Sequence, residues 1–224
     1  MKKNYIKVIY ALIAVALVNL AVMLSVIQNL PAEIPVHFNY HFEVDRMGTR
    51  WFLAIMPSVP VLFSIAMAVE QKIRGRDYAN SKPLTIFAVV FVAFWIALSW
   101  MMYAMSGTGA QMGETVSVPL ELFMGLGFSV LFIVLGNYLP TVKPNRTFGI
   151  RVPATYRNEE VWKKTHRFAG PATVLGGIFT AVMSLIGHFA DQSWLIFAGL
   201  MLGVFVPMIV IFIYSKRVEK QLKG

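Results

Sequence analysis

The chain has 224 residues, no cysteine, 57% hydrophobic residues and only 14% charged ones, where a soluble domain carries roughly 45–50% and about 25%. That balance, with a mean hydropathy of +0.64, excludes a disordered chain, a disulfide scaffold, a thiolate metal site and an ordinary soluble enzyme. The net charge of +9 points to nucleic acid in a soluble protein but to membrane topology in a hydrophobic one.

A spanning helix needs about 20 mainly apolar residues, because the hydrocarbon core is about 30 Å thick and each helical residue rises about 1.5 Å. Six runs satisfy this: Val8 to Leu30, Trp51 to Val69, Leu84 to Met105, Pro119 to Leu139, Gly170 to Phe189 and Trp194 to Tyr214. Strand alternation is absent, which argues against a membrane barrel. Lys2, Lys3 and Lys7 ahead of the first run imitate a signal peptide. The run exceeds the usual h-region of about 7–15 residues and lacks a cleavage site, so it is read as a retained helix. The expected fold is all-α and polytopic, with six transmembrane helices.

The basic residues orient this bundle. Of 20 Lys and Arg, only Arg46 and Arg50 fall between the first and second spans, and none falls between the third and fourth or the fifth and sixth. All the others lie at the termini, in the 70–83 connection or in the 140–169 connection. The positive-inside rule therefore places both termini in the cytoplasm and removes nucleic acid as a partner. Three stretches follow: a first hairpin over 1–69 with an outer cap loop at 31–50, a second hairpin start and linkers over 70–118, and a region over 119–224 containing a cytoplasmic loop at 140–169.

The cap loop carries Pro35, His37, Asn39 and Asp45 as candidate binding residues. Pro31 and Pro35 disfavour a helix there, and Phe38, Tyr40 and Trp51 suit an interfacial cap. Asp45 is expected to pair with Arg46 or Arg50. His37 and His41, with His188 and Asp191 on the same side of the membrane, are weak candidates for a metal, since imidazole and carboxylate ligands suit zinc or copper. The preferred reading has no metal and no cofactor.

Within the spans, Asn19 is expected to hydrogen-bond another helix. Glu121 is the one formal charge inside a span, either a functional intramembrane carboxylate or a residue at the outer interface. Gly199 and Gly203 form a GxxxG, and Gly177 and Ala181 a small-xxx-small pair. Both permit close helix contact, within one chain or between copies.

The 140–169 loop is the densest in chemistry. Pro140, Pro144, Gly149 and Pro153 punctuate its first half. Arg146 and Arg151 flank Gly149 and, with Asn145, suit a bidentate anion such as a phosphate or a lipid headgroup. The second half reads as a short amphipathic helix capped by Asn158, with Glu159 and Glu160 in its first turn. Val161, Trp162, Thr165, Phe168 and Ala169 recur at helical spacing, and Trp162 beside Lys163, Lys164 and Arg167 is an interfacial signature. His166 is read as a hydrogen-bonded structural residue rather than a catalyst.

Gly136, Asn137, Pro140, Pro144, Asn145, Gly149, Ile150, Arg151, Pro153, Trp162, Thr165, His166, Arg167 and Gly170 stand in an order and spacing that resembles the signature of the SdpI family of bacterial membrane immunity proteins. Ala154 departs from it, where the family commonly has Trp. The cap loop is similar to the Pro-x-His-x-Asn domain of unknown function often found ahead of that region, with Phe42 where its middle Gly is expected. The resemblance implies a multi-pass protein of the bacterial cell membrane that protects the cell from a secreted, membrane-active toxic peptide. The outer loops would meet the peptide, and the motif loop would meet lipid or a cytoplasmic regulatory protein in signalling. It also implies binding roles for Asn137, Pro140, Asn145, Arg146, Gly149, Arg151, Pro153, Trp162, Thr165, His166 and Arg167. Two other readings stay open: a small transporter or export protein working through Glu121, and a membrane enzyme acting on a lipid-linked anion through Arg146, Arg151 and His166.

Overall fold

The computed structural model describes residues 5–41, 43–74, 80–114, 120–145 and 148–223. Its elements are α1 (Tyr5–Val26), β1 (Glu33–Phe38), β2 (Val44–Thr49), α2 (Ile55–Arg74), α3 (Ser81–Ser106), α4 (Leu120–Tyr138), α5 (Pro153–Arg157), α6 (Glu159–Phe189) and α7 (Ser193–Gln221). Single 3-10 turns extend α1 at Ile27–Asn29, precede α2 at Arg50–Ala54 and follow α4 at Leu139–Thr141. Among the described residues six helices are long and apolar enough to cross a membrane. Their large apolar side chains point outward: Leu62 is 67% exposed and Phe189 83%. Such surface is untenable in water but matches lipid.

The chain divides into two compact units, one of residues 1–78 and 88–123, the other of 79–87 and 124–224. In the first, Met23, Ile27 and Leu30 at the end of α1 form a core with Ile34 of β1 and Leu53, against Met102 and Tyr103 of α3. A second cluster joins Ile9, Ala68 and Ala88. Asn19 on α1 accepts a hydrogen bond from Trp100 Nε1 on α3 at 2.8 Å, the interhelical bond its depth in the span predicts. Within the 31–50 loop β1 and β2 pair antiparallel. Glu33 faces Thr49, Ile34 faces Gly48 and Phe38 faces Val44, with register irregularities between Pro35 and His37 and between His37 and Phe38.

In the second unit α6 and α7 form the main hairpin. Gly176 and Gly203 let the two backbones meet: a Cβ on Gly176 would sit 2.2 Å from the Gly203 carbonyl oxygen. Thr180 Oγ1 lies 3.0 Å from the Gly176 carbonyl and 3.1 Å from that of Gly199. Gly177 packs against Ser129 and Ile133 of α4. The small-residue pairs of the fifth and sixth spans thus serve contacts within one chain.

α6 differs from expectation in extent. The amphipathic segment and the fifth span are one helix of 31 residues, about 46 Å long at 1.5 Å per residue. Pro171 sits inside it without ending it. Since the hydrocarbon core is only about 30 Å thick, the polar turns from Glu159 to Arg167 project beyond the apolar segment.

Candidate functional site

The described residues of the 139–170 stretch form a clasp on the first turns of α6. Asn158 begins that helix, its Oδ1 accepting from the N–H groups of Glu160 at 2.7 Å and Val161 at 3.3 Å. Glu159 and Glu160 then pair with Lys163 and Lys164 one turn on. Those four side chains face solvent, where such pairs contribute little. The opposite face is the organising one: Trp162 and His166 are 1% exposed and Thr165 is fully buried.

Trp162 therefore lies inside the fold, and the interfacial placement expected from its basic neighbours is corrected. Its Nε1–H donates to the Val142 carbonyl at 2.8 Å. Its ring stacks on that of His166, with centroids 4.1 Å apart and planes 16° from parallel. His166 uses both ring nitrogens: Nε2 accepts from the Ile150 N–H at 2.9 Å, and Nδ1 lies 2.9 Å from the Trp162 carbonyl. The acceptor role of Nε2 assigns the proton to Nδ1 and makes the ring neutral in this arrangement. Gly149 lies over this pair with φ at +114°, and a Cβ there would come 2.4 Å from His166 Nε2 and 3.3 Å from Trp162 Cζ2. Glycine is required twice, by backbone sign and by space.

The remaining loop residues shape the chain around that stack. Asn145 Oδ1 accepts from the Phe148 N–H at 2.7 Å, while its Nδ2 faces the carbonyls of Lys143 and Phe148 at 2.8 and 2.9 Å. Thr155 Oγ1 accepts from the Val152 N–H at 3.1 Å and faces the Ile150 carbonyl at 2.9 Å. Pro153 opens α5 in its first turn. Pro140 packs on Gly170, where a Cβ would meet its Cγ at 2.5 Å. Ala154 is buried with Val161 and Val218.

Arg151 and Arg167 are exposed, as is Asn137. Arg151 Nε donates to Tyr156 Oη, and its guanidinium lies 5.6 Å from that ring centroid. Arg146 lies outside the described residues, so the expected pairing of two guanidinium groups is not placed. Thr165 Oγ1 has no hydrogen-bond partner among the described residues.

Asn80, which no sequence motif singled out, belongs to this site. Its Nδ2 donates to the Lys143 carbonyl at 3.0 Å, and its Oδ1 accepts from the Lys143 N–H at 2.8 Å. The available signal was an Asn immediately before the Ser81 helix start, a residue type that hydrogen-bonds backbone at such positions.

The cap is built differently. Asn39 Oδ1 accepts from the N–H groups of His41 and Glu43 at 2.9 and 3.1 Å, and its Nδ2 donates to Glu43 Oε2 at 2.8 Å, closing the hairpin tip as an Asx turn. Phe42 lies outside the described residues. Arg50 Nη1 donates to the carbonyls of Gln28 and Leu30, both at 2.8 Å, tying the exit of β2 to the end of α1. The 113–114 segment adds to β2: Val44 N donates to Glu114 O at 3.0 Å and Gly113 N to Val44 O at 2.7 Å. Pro35 is buried. Asp45 pairs with His37 Nδ1 at 2.6 Å rather than with Arg46 or Arg50, because strand pairing brings the two residues together across the hairpin. Both side chains are more than a third exposed.

Among the described residues no three His, Asp or Glu side chains gather as a metal site. The His41 ring lies tilted against that of Tyr40, with centroids 4.0 Å apart. His188 contacts the Phe189 ring in the last turn of α6, and Asp191 takes φ +54° in the turn that follows. Glu121 is half-buried in the first turn of α4, where the helix dipole favours a carboxylate.

Six helices among the described residues, each long and apolar enough to cross a membrane, define a multi-pass membrane protein. The SdpI/YfhL protein family matches residues 141–215, and Domain of unknown function (DUF1648) matches residues 14–60. The DUF1648 match thus lies ahead of the SdpI/YfhL match along the chain. The chain is 25% identical to the Immunity protein SdpI of Bacillus subtilis (strain 168) over 100% of this chain and 99% of that protein. It is also 26% identical, over 46% of this chain and 48% of the other, to one component of the Na(+)-translocating NADH-quinone reductase of Yersinia pestis (strain Pestoides F). No solved structure matches.

Proposed function

We propose that this chain is an integral membrane immunity protein that protects its cell from a secreted, membrane-active toxic peptide. The observation that carries this reading is the end-to-end similarity to Immunity protein SdpI, which spans both modules and every connection between them. In this reading both termini are cytoplasmic, as the distribution of Lys and Arg favours, so the cap faces outward and the clasp inward. The exposed His37–Asp45 pair and the hairpin around it meet the peptide. The clasp fixes the inner ends of α4, α6 and α7 and presents Arg151 and Arg167 to lipid or a cytoplasmic regulatory protein.

This role is not enzymatic. Both nitrogens of His166 are engaged in hydrogen bonds to backbone, which leaves the ring no lone pair for general base work. Cells expressing the protein should survive conditioned medium from a toxin-producing strain that kills cells lacking it. Equal killing of the two would overturn the proposal. Orientation is testable on the same protein, because the chain has no cysteine. Tyr40→Cys should react with an impermeant maleimide on intact cells and Lys163→Cys only after lysis. The reverse pattern would invert the topology.

A further inference from the structure

An apolar groove of about 540 Å³ runs along α7 beside α4 and α6 and ends at the clasp. Phe132 and Leu135 line it from α4, Thr173 from α6, and Gly203, Met208 and Phe212 from α7. Pro207 of α7 also lines it. From Gly203 to Phe212 the helix advances about 13 Å, and Met208 and Phe212 are 58% and 43% exposed, so the groove opens sideways where hydrocarbon lies.

One end is different in chemistry. Arg151 is the charged residue among those described that line the groove. Ile150 packs with Leu139 and Ile211, which places Arg151 at the α7 end that leaves the apolar segment. Lys216 borders the same end, its Nζ 4.9 Å from the Phe212 ring centroid. Arg151 is also held in advance. The Ile150 N–H is bound by His166 and the Ile150 carbonyl by Thr155, while Val152 is bound by Thr155 from the other side. The backbone that carries the guanidinium is thus fixed before any ligand arrives, which lowers the ordering cost of binding.

We infer that this groove is a binding site for an anionic phospholipid, with one acyl chain along α7 and the phosphate on Arg151. The volume falls in the range of specific ligand sites. Cationic pockets between membrane helices select anionic headgroups, and an Arg fork suits phosphate geometry. The inference goes beyond the immunity reading and does not depend on it.

The test is native mass spectrometry of the full chain in detergent, titrated with dioleoyl phosphatidylglycerol and, separately, dioleoyl phosphatidylcholine. The protein should retain phosphatidylglycerol preferentially. Arg151→Gln should lower its affinity about tenfold, as expected for loss of a charge-assisted hydrogen bond, with phosphatidylcholine unchanged. Arg151→Lys should recover part of the preference and guards against a folding defect in the glutamine variant. Met208→Trp, which fills the groove from an exposed position, should weaken retention of both lipids. Millimolar inorganic phosphate should not displace the lipid. Equal retention of the two lipids by the native chain, an unchanged preference in Arg151→Gln, or displacement by phosphate alone would each overturn the inference.

Discussion

The 31–50 cap and the 139–170 clasp are both short polar segments between membrane helices, and both tie side chains to backbone, yet they bury those side chains to different extents. In the clasp, Trp162, His166, Asn145 and Thr155 spend their hydrogen bonds on nearby backbone, while Arg151 and Arg167 are exposed. In the cap, backbone pairing between β1 and β2 holds the shape, which leaves His37 and Asp45 on the surface. The loop dense in unusual residues thus uses most of its described polar side chains to hold its own shape, and the sparser loop leaves a polar pair on its surface. Buried polar groups must be satisfied and so become structural, whereas a strand ladder satisfies its own backbone and releases side chains for contact.

This contrast is open to mutation. The largest effect should come from Gly149→Val, which forces a β-branched residue into φ +114° and into the His166 ring. A loss of about 3 kcal/mol or more is expected, read as disappearance of monodisperse protein on size exclusion in detergent. Trp162→Ala should follow, at about 3–5 kcal/mol for an emptied aromatic site. Trp162→Phe should cost about 1–3 kcal/mol by leaving the Val142 carbonyl unpaired; thermal unfolding in detergent ranks the two. Equal unfolding midpoints for Trp162→Ala and the native chain would return Trp162 to the interface. Asn80→Ala removes both hydrogen bonds to Lys143 and should lower stability by about 1–3 kcal/mol, measurable in the same assay. The smallest change in stability belongs to the cap. His37→Ala should shift unfolding by no more than about 1 kcal/mol, because an exposed polar pair contributes little.

The six spans were legible because length and apolar content alone decide them, and Asn19 announced its interhelical bond by its depth in the first span. The structural role of His166 was also legible, since an isolated imidazole beside an apolar helix face is more often bonded than reactive. Other features depended on contacts that no local pattern encodes. Trp162 beside Lys163 and Lys164 fits an interface and a core equally well, and its burial is decided by Val142, 20 positions earlier. The Asp45 partner follows from strand register, not from the nearest arginine in sequence. The continuity of α6 through Pro171 was hidden because proline reads as a boundary. Asn80 was invisible because its partner, Lys143, is 63 residues away.

Survival under toxin separates a cap that recognises from a clasp that supports. Cells making the chain with His37→Ala and Asp45→Ala together, at membrane levels matched to the native protein, should be killed by conditioned medium from a toxin-producing strain as readily as cells lacking it. Survival equal to that of cells with the native protein would refute this division of roles.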